Sequence, residues 1–135
     1  MGRISTKRIR EISELAIKTY EEQKAASAKA RYDTYKERTR QILNNYRAMV
    51  ERNEDTSHID TMLDVYKDYC DRSHKIEDAR RYRVLFWRYI ASEQKTVYEI
   101  ADGEIMDFRS VYRDVDEAVD ILAILLFGID ALPLS

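Results

Sequence analysis

TVYEIADGEIMDFRSVYRDVDEAVDIL, residues 96–122, is the stretch whose reading decides the fold. Thr96 and Glu99 have the spacing of a capping box, in which hydroxyl and carboxylate each take an orphan backbone N–H at a helix start. Ile100 and Ala101 form the inner face of a short helix, Gly103 is placed in the tight stretch that follows, and Met106 is an apolar plug. Asp107 can cap a second helix, which turns Val111, Val115, Val119 and Leu122 inward at spacings of four and three. This is the pattern of a helix-turn-helix, with small Ala101 where the two helices cross. Glu104 stands where such motifs usually carry a large apolar residue, so either Ile105 turns inward or the turn differs.

Working outward, the 135 residues contain only three glycines and one proline, and none of them lies between Arg3 and Asp102. Sheet proteins need many tight turns built from Gly, Pro and Asn, so β architecture is excluded and long helices are expected. Residues 4–52 read as one long helix or two nearly collinear ones. A seam close to the coiled-coil repeat passes through Ile9, Ile12, Ala16, Thr19, Gln23, Ala26 and Ala30, then slips to Tyr32, Tyr35, Thr39, Ile42, Tyr46 and Met49. Such a helix cannot bury its stripe alone. It must fold back on the rest of the chain or pair with another copy, and a homodimer is expected. Asn53–Ser57 is a cluster of capping and turn residues, and a break is placed there. Two further helices are predicted over 59–72 and 76–91. The expected fold is therefore all-α: a long N-terminal helix or helix pair (1–53), followed by a small C-terminal bundle (54–135) with the helix-turn-helix at 96–122.

Charge is polarised along the chain. Residues 1–53 carry 13 Lys and Arg against 7 Asp and Glu, whereas residues 96–135 carry 2 against 9. Polarisation of this kind signals an electrostatic partner for one end, or association between the ends. In a helix-turn-helix, the first turns of the second helix face the major groove. Here they project Phe108, Arg109, Ser110, Tyr112 and Arg113. Arginine can pair bidentately with guanine or clamp a phosphate, and Ser and Tyr are common backbone contacts. Because the segment is acidic, affinity for double-stranded DNA needs cations from elsewhere: Arg80, Arg81, Arg83, Arg88 and Lys95 just before the motif, or the N-terminal half. The competing reading is a helical hairpin whose Arg109 and Arg113 pair with nearby acids, in a scaffold or adaptor that acts through protein contacts.

Three stretches, RYRVLFWRYI (81–90), the TVYEIA…RSVYRDV segment (96–115) and LAILLFGIDAL (122–132), resemble phage-encoded transcriptional regulators of the ArpU/RinA type. Residues 38–52 are weakly similar to the N-terminal helix of that family. The resemblance implies a sigma-factor-like helix-turn-helix and control of late phage genes, and an activator is expected; the apolar run 121–132 offers a dimer seam or a contact for host RNA polymerase. The resemblance also implies a DNA-facing role for Thr96, Arg109, Ser110, Tyr112 and Arg113, and a cytoplasmic location in the bacterial host cell. Glu104, Gly103 and Ala131, which stands where the family tends to have Gly, depart from the family pattern.

Other chemistries find little support. Cys70 and His74 could share a helix face with His58 or Asp71 nearby, but a structural zinc site wants four ligands and the chain has one Cys and two His. No phosphate loop, nucleophile elbow or paired-His motif occurs, so neither an enzyme nor a cofactor is expected. The single cysteine excludes an internal disulfide. The longest apolar run, Ile121–Ile129, is far short of the roughly 18–20 residues of a bilayer span, so no membrane partner is expected. That run is expected to pack under the third helix, against Leu85, Phe86 and Ile90, with Gly128 ending its helix in a left-handed conformation.

Overall fold

A Ser5 hydroxyl that accepts the Arg8 N–H at 3.2 Å opens the first helix, and with no glycine or proline to stop it the helix runs unbroken for 46 residues. In the computed structural model, which describes residues 4–132 (only the backbone of Ile129 and Asp130), α1 (Thr6–Glu51) is thus a single helix. It is followed by α2 (Ser57–Arg72), α3 (Ile76–Leu85) with a π-helical continuation over Phe86–Ile90, α4 (Val97–Glu104) and α5 (Phe108–Phe127). A 3-10 turn, Gly128–Ala131, closes the described chain. The fold is all-helical, as the composition requires.

Asn53, at φ +57°, makes the reversal after α1, a conformation that Asn tolerates better than most residues. Ser57 then donates its N–H to Asp55 Oδ1 at 2.9 Å, while Tyr46 and Thr56 both donate to the Asp60 carboxylate, at 2.6 and 2.8 Å. The start of α2 is thereby tied to the end of α1. The break at Asn53 is a reversal within one core, because α1 enters that core: Leu43 is buried in one cluster with Tyr66, Val84, Leu85, Ile100, Val111, Val119 and Leu122. The second predicted stripe of α1, Tyr32 to Met49, faces the bundle. The first does not. Every residue from Ile4 to Lys24 is exposed.

The predicted third helix is continuous in sequence but not in geometry. After Leu85 it widens into a π turn, closed by the Ala91 N–H on the Phe86 carbonyl at 2.9 Å. Helix ends leave carbonyls without partners, and Arg47 of α1 supplies three donors here. Its guanidinium reaches the carbonyls of Ala91 (2.7 Å), Arg88 (3.1 Å) and Trp87 (3.2 Å). α5 packs on α3, with Leu85 and Leu122 in one buried cluster, and the end of the C-terminal apolar run reaches α1 as well. The Tyr35 and Phe127 ring centres lie 4.8 Å apart, tilted by 32°, and the 3-10 turn packs on α1. Gly128 does end α5 at positive φ (+72°), but with ψ −148° it sits in the mirror-extended region that only glycine enters freely, not in the left-handed helical one.

Removal of the Arg47 clamp leaves three partly buried carbonyls competing for no partner. Arg47→Met is expected to lower stability by about 2 kcal/mol. The check is the urea midpoint, which should fall with an unchanged slope.

Candidate nucleic-acid interface

The capping box forms as read. Thr96 Oγ1 accepts the Glu99 N–H at 3.1 Å and the Glu99 carboxylate accepts the Thr96 N–H at 3.3 Å. Thr96 stays exposed, with its hydroxyl committed to α4. Asp107 caps α5 by accepting the Ser110 N–H at 2.8 Å. Below these caps Ile100, Ala101, Val111, Val115, Val119 and Leu122 are all buried.

The turn between the helices differs from the expected one. Gly103 lies inside α4, and the residue that carries the chain around is Ile105, at φ +55° and ψ +55°. Ile105 does not rotate inward; it is 93% exposed. Glu104 takes the inner position instead, because it has a cation to meet. The Arg83 Nε and Nη2 donate to its carboxylate at 3.0 and 2.7 Å, and that pairing holds the carboxyl below its ordinary value of 4.5.

Phe108, Arg109, Tyr112 and Arg113 all stand exposed on one end of α5, and Ser110 is half-buried beside them. Among the described residues, no ion pair engages Arg109 or Arg113, so the hairpin reading in which neighbouring acids quench them is not what the structure contains. Tyr98 of α4, which the sequence did not single out, joins the same surface: it is 71% exposed and its ring lies 5.8 Å from that of Phe108. Arg109 sits 5.9 Å from the Phe108 ring centre.

The acids of α5 are met by cations from elsewhere in the fold. Asp114 is 2% exposed and receives Arg80 bidentately, at 2.7 and 3.1 Å. Arg81 pairs with Glu117 at 2.6 Å. Lys36 of α1 reaches Asp116 at 3.0 Å and Asp120 at 2.8 Å, while Arg40 also pairs with Asp116 and Tyr32 donates to Asp120. With Glu104, five carboxylates of the acidic segment are met by cations of α1 and α3. This corrects one expectation: Arg81, together with Arg80 and Arg83, serves the interior of the fold and is not a free phosphate contact. Glu99, Asp102 and Asp107 stay exposed on α4 and at the start of α5. Arg88 and Lys95 remain without ion pairs among the described residues; Arg88 lies 5.3 Å from the Tyr89 ring and Lys95 Nζ only 3.7 Å from the Trp87 ring.

Cys70 is buried, which pushes its thiol up to about 11, and no group of three or more His, Cys, Asp or Glu among the described residues could hold a metal ion. No helix of the described chain is long and apolar enough to cross a membrane.

The turn and its ion pair set the expected outcome of three substitutions. Ile105→Gly removes a left-handed β-branched residue and should raise stability by about 1 kcal/mol. Gly103→Ala should add a similar amount, about 0.8–1 kcal/mol, since a Cβ there meets nothing within 4 Å. Both are read from denaturation midpoints. Glu104→Gln should cost about 0.5–1 kcal/mol near neutral pH, discounted for the exposure of Arg83. Because the folded-state pKa lies below the ordinary 4.5, the contribution is complete above that value and is lost as pH falls through the lower one. Thermal melts of parent and variant should therefore converge in acid.

Against known proteins the chain matches no family model, no curated protein and no solved structure, so the geometry and charge of this surface are what speak for a function.

Proposed function

We propose that the protein is a phage-encoded, sequence-specific DNA-binding transcriptional regulator that reads double-stranded DNA with the N-terminal turns of α5. One observation carries the reading: Arg109, Tyr112 and Arg113 stand exposed at the N-terminal end of α5, the two arginines without ion pairs among the described residues, while cations of α1 and α3 meet the helix's own acids Asp114, Asp116, Glu117 and Asp120. A reading helix needs its donors unpaired and the repulsion of its own acids offset, and this arrangement supports both. Arg109 and Arg113 are assigned to guanine edges or phosphates, Ser110 and Tyr112 to the sugar–phosphate backbone, and Phe108 with Tyr98 to apolar contact in the groove. Arg88 and Lys95 are assigned to flanking phosphates, and Thr96 to the cap that holds α4. The resemblance to ArpU/RinA-type regulators supports control of late phage genes, as an activator, inside the bacterial host cell. The apolar C-terminal run 121–132 is the surface assigned to a contact with host RNA polymerase.

The alternative is an adaptor that acts through protein contacts. The apolar groove between α2 and α5, lined by Val65, Tyr69, Ile121, Ile124 and Leu125, favours it.

Titration with phage late-promoter DNA at two salt concentrations separates the two. Binding that weakens steeply with salt is expected, because displaced counterions drive it. Absence of binding at micromolar protein in low salt rejects DNA reading and leaves the adaptor. Arg113→Ala should cost about 1–3 kcal/mol and relax preference at one base position, whereas Arg88→Ala should weaken all sequences alike. Identical behaviour of the two variants would show that α5 does not read sequence.

A further inference from the structure

The first half of α1 presents an apolar face that nothing among the described residues covers. Ile9, Ile12, Leu15 and Tyr20 are each more than half exposed. At 3.6 residues per turn, the Ile9–Ile12–Ala16 face lies roughly 150° around the helix from Ala28, Thr39 and Leu43, the residues that α1 buries against the bundle. Ile9, Ile12 and Tyr20 therefore point away from that core, Leu15 lies on the flank, and Ile17, 59% exposed, lies on the core side. No glycine, proline or irregularity interrupts α1, so the arm has no hinge on which to fold back. A second molecule can supply the cover that the described residues do not.

Charge decides which one. Residues 4–27 carry five Lys and Arg and four Glu, so the arm is close to neutral and bears no barrier to pairing with itself. We propose that two copies associate through their arms as an antiparallel helix pair, with the twofold axis passing beside Glu14. In that register Ile9 faces Thr19 of the second copy and Ile12 faces its Ala16, so each layer joins one large and one small side chain. The two Leu15 side chains meet on one flank of the seam. Beside them Arg8 faces Glu22 of the second copy, twice by symmetry. A parallel, in-register pair would instead stack Ala16, Thr19 and Gln23 on themselves and leave Arg8 and Glu22 opposite serines. It would also set two heads of net charge −4 (residues 28–135) side by side, where they repel. The antiparallel pair places the two Ala28 positions about 42 Å apart along the arms, one head at each end. It also explains why the stripe fades after Thr19: beyond Gln23 the arm has no partner to meet.

Sedimentation of the full chain over a wide concentration range tests this, independently of any DNA binding. A concentration-dependent dimer is expected, and Ile12→Asp should abolish it while leaving the melting of the bundle unchanged. Arg8→Glu and Glu22→Arg should each weaken dimerisation about tenfold, and the two changes combined should restore it. Mild oxidation should cross-link an Arg8→Cys chain to a Glu22→Cys chain, but neither to itself. A monomer at all concentrations, absence of rescue in the double variant, or like-with-like cross-linking overturns the proposal. Loss of promoter binding with the dimer intact would count against DNA reading alone.

Discussion

A carboxylate in the middle of a packed helix face has to be met by a cation, and Asp114 is that carboxylate here. It is buried among Val111, Val115 and Ala118 on the central helix, and Arg80 grips it with two hydrogen bonds. Breaking such a pair by removing one partner strands a buried charge, which makes the contact orientationally demanding even where its net contribution is small. The pair fixes the rotation of α5 against α3. With that rotation set, Val111, Val115, Val119 and Leu122 face the core, and Arg109, Tyr112 and Arg113 face outward. Lys36, Arg40 and Tyr32 of α1 then meet Asp116 and Asp120 on a neighbouring side of the same helix.

Charge polarisation along the chain thus has a structural use. The basic half of α1 and the arginines of α3 fold onto the acids of α4 and α5, so much of the sequence asymmetry is cancelled inside one molecule. Among the cations left without ion pairs are Arg109 and Arg113 at the tip of α5, and Arg88 and Lys95 before α4, beside the exposed acids Glu99, Asp102 and Asp107. The N-terminal arm is near neutral by its own composition, which suits contact with a like surface better than contact with nucleic acid. The two proposed tasks lie at opposite ends of the chain, with the continuous α1 helix linking them and Arg47 anchoring that helix to the carbonyls of the π turn.

Much of this was legible before the fold was known, for identifiable reasons. The Thr96–Glu99 box and the Asp107 cap depend on contacts three residues apart, so spacing alone reveals them. The inward face of α5 follows from strict apolar spacing. Gly103 misled, because glycine is the usual residue of a tight turn and the turn was placed around it. Instead Ile105 takes the left-handed position, its side chain running free into solvent while Arg83 draws Glu104 inward. Tyr98 went unnoticed because its exposure depends on how α4 sits against α5. Leu43 and Ala28 lie one or two places off the stripe that was read, in a stretch where Ile42 and Ala26 gave competing signals.

By itself the sequence determined that the protein is helical, where most helices begin and end, and which residues of the last long helix face inward. These are consequences of local chemistry: caps, glycine and proline content, and apolar period act over a few residues and need no partner from afar. Only the tertiary structure decided which charges are spent within the fold and which stay free. Arg81 and Arg113 look alike in the sequence, yet one meets Glu117 at 2.6 Å and the other meets no acid among the described residues. An ion pair joins groups many residues apart through the relative placement of whole helices, and that placement is set by packing across the core, which no local pattern encodes.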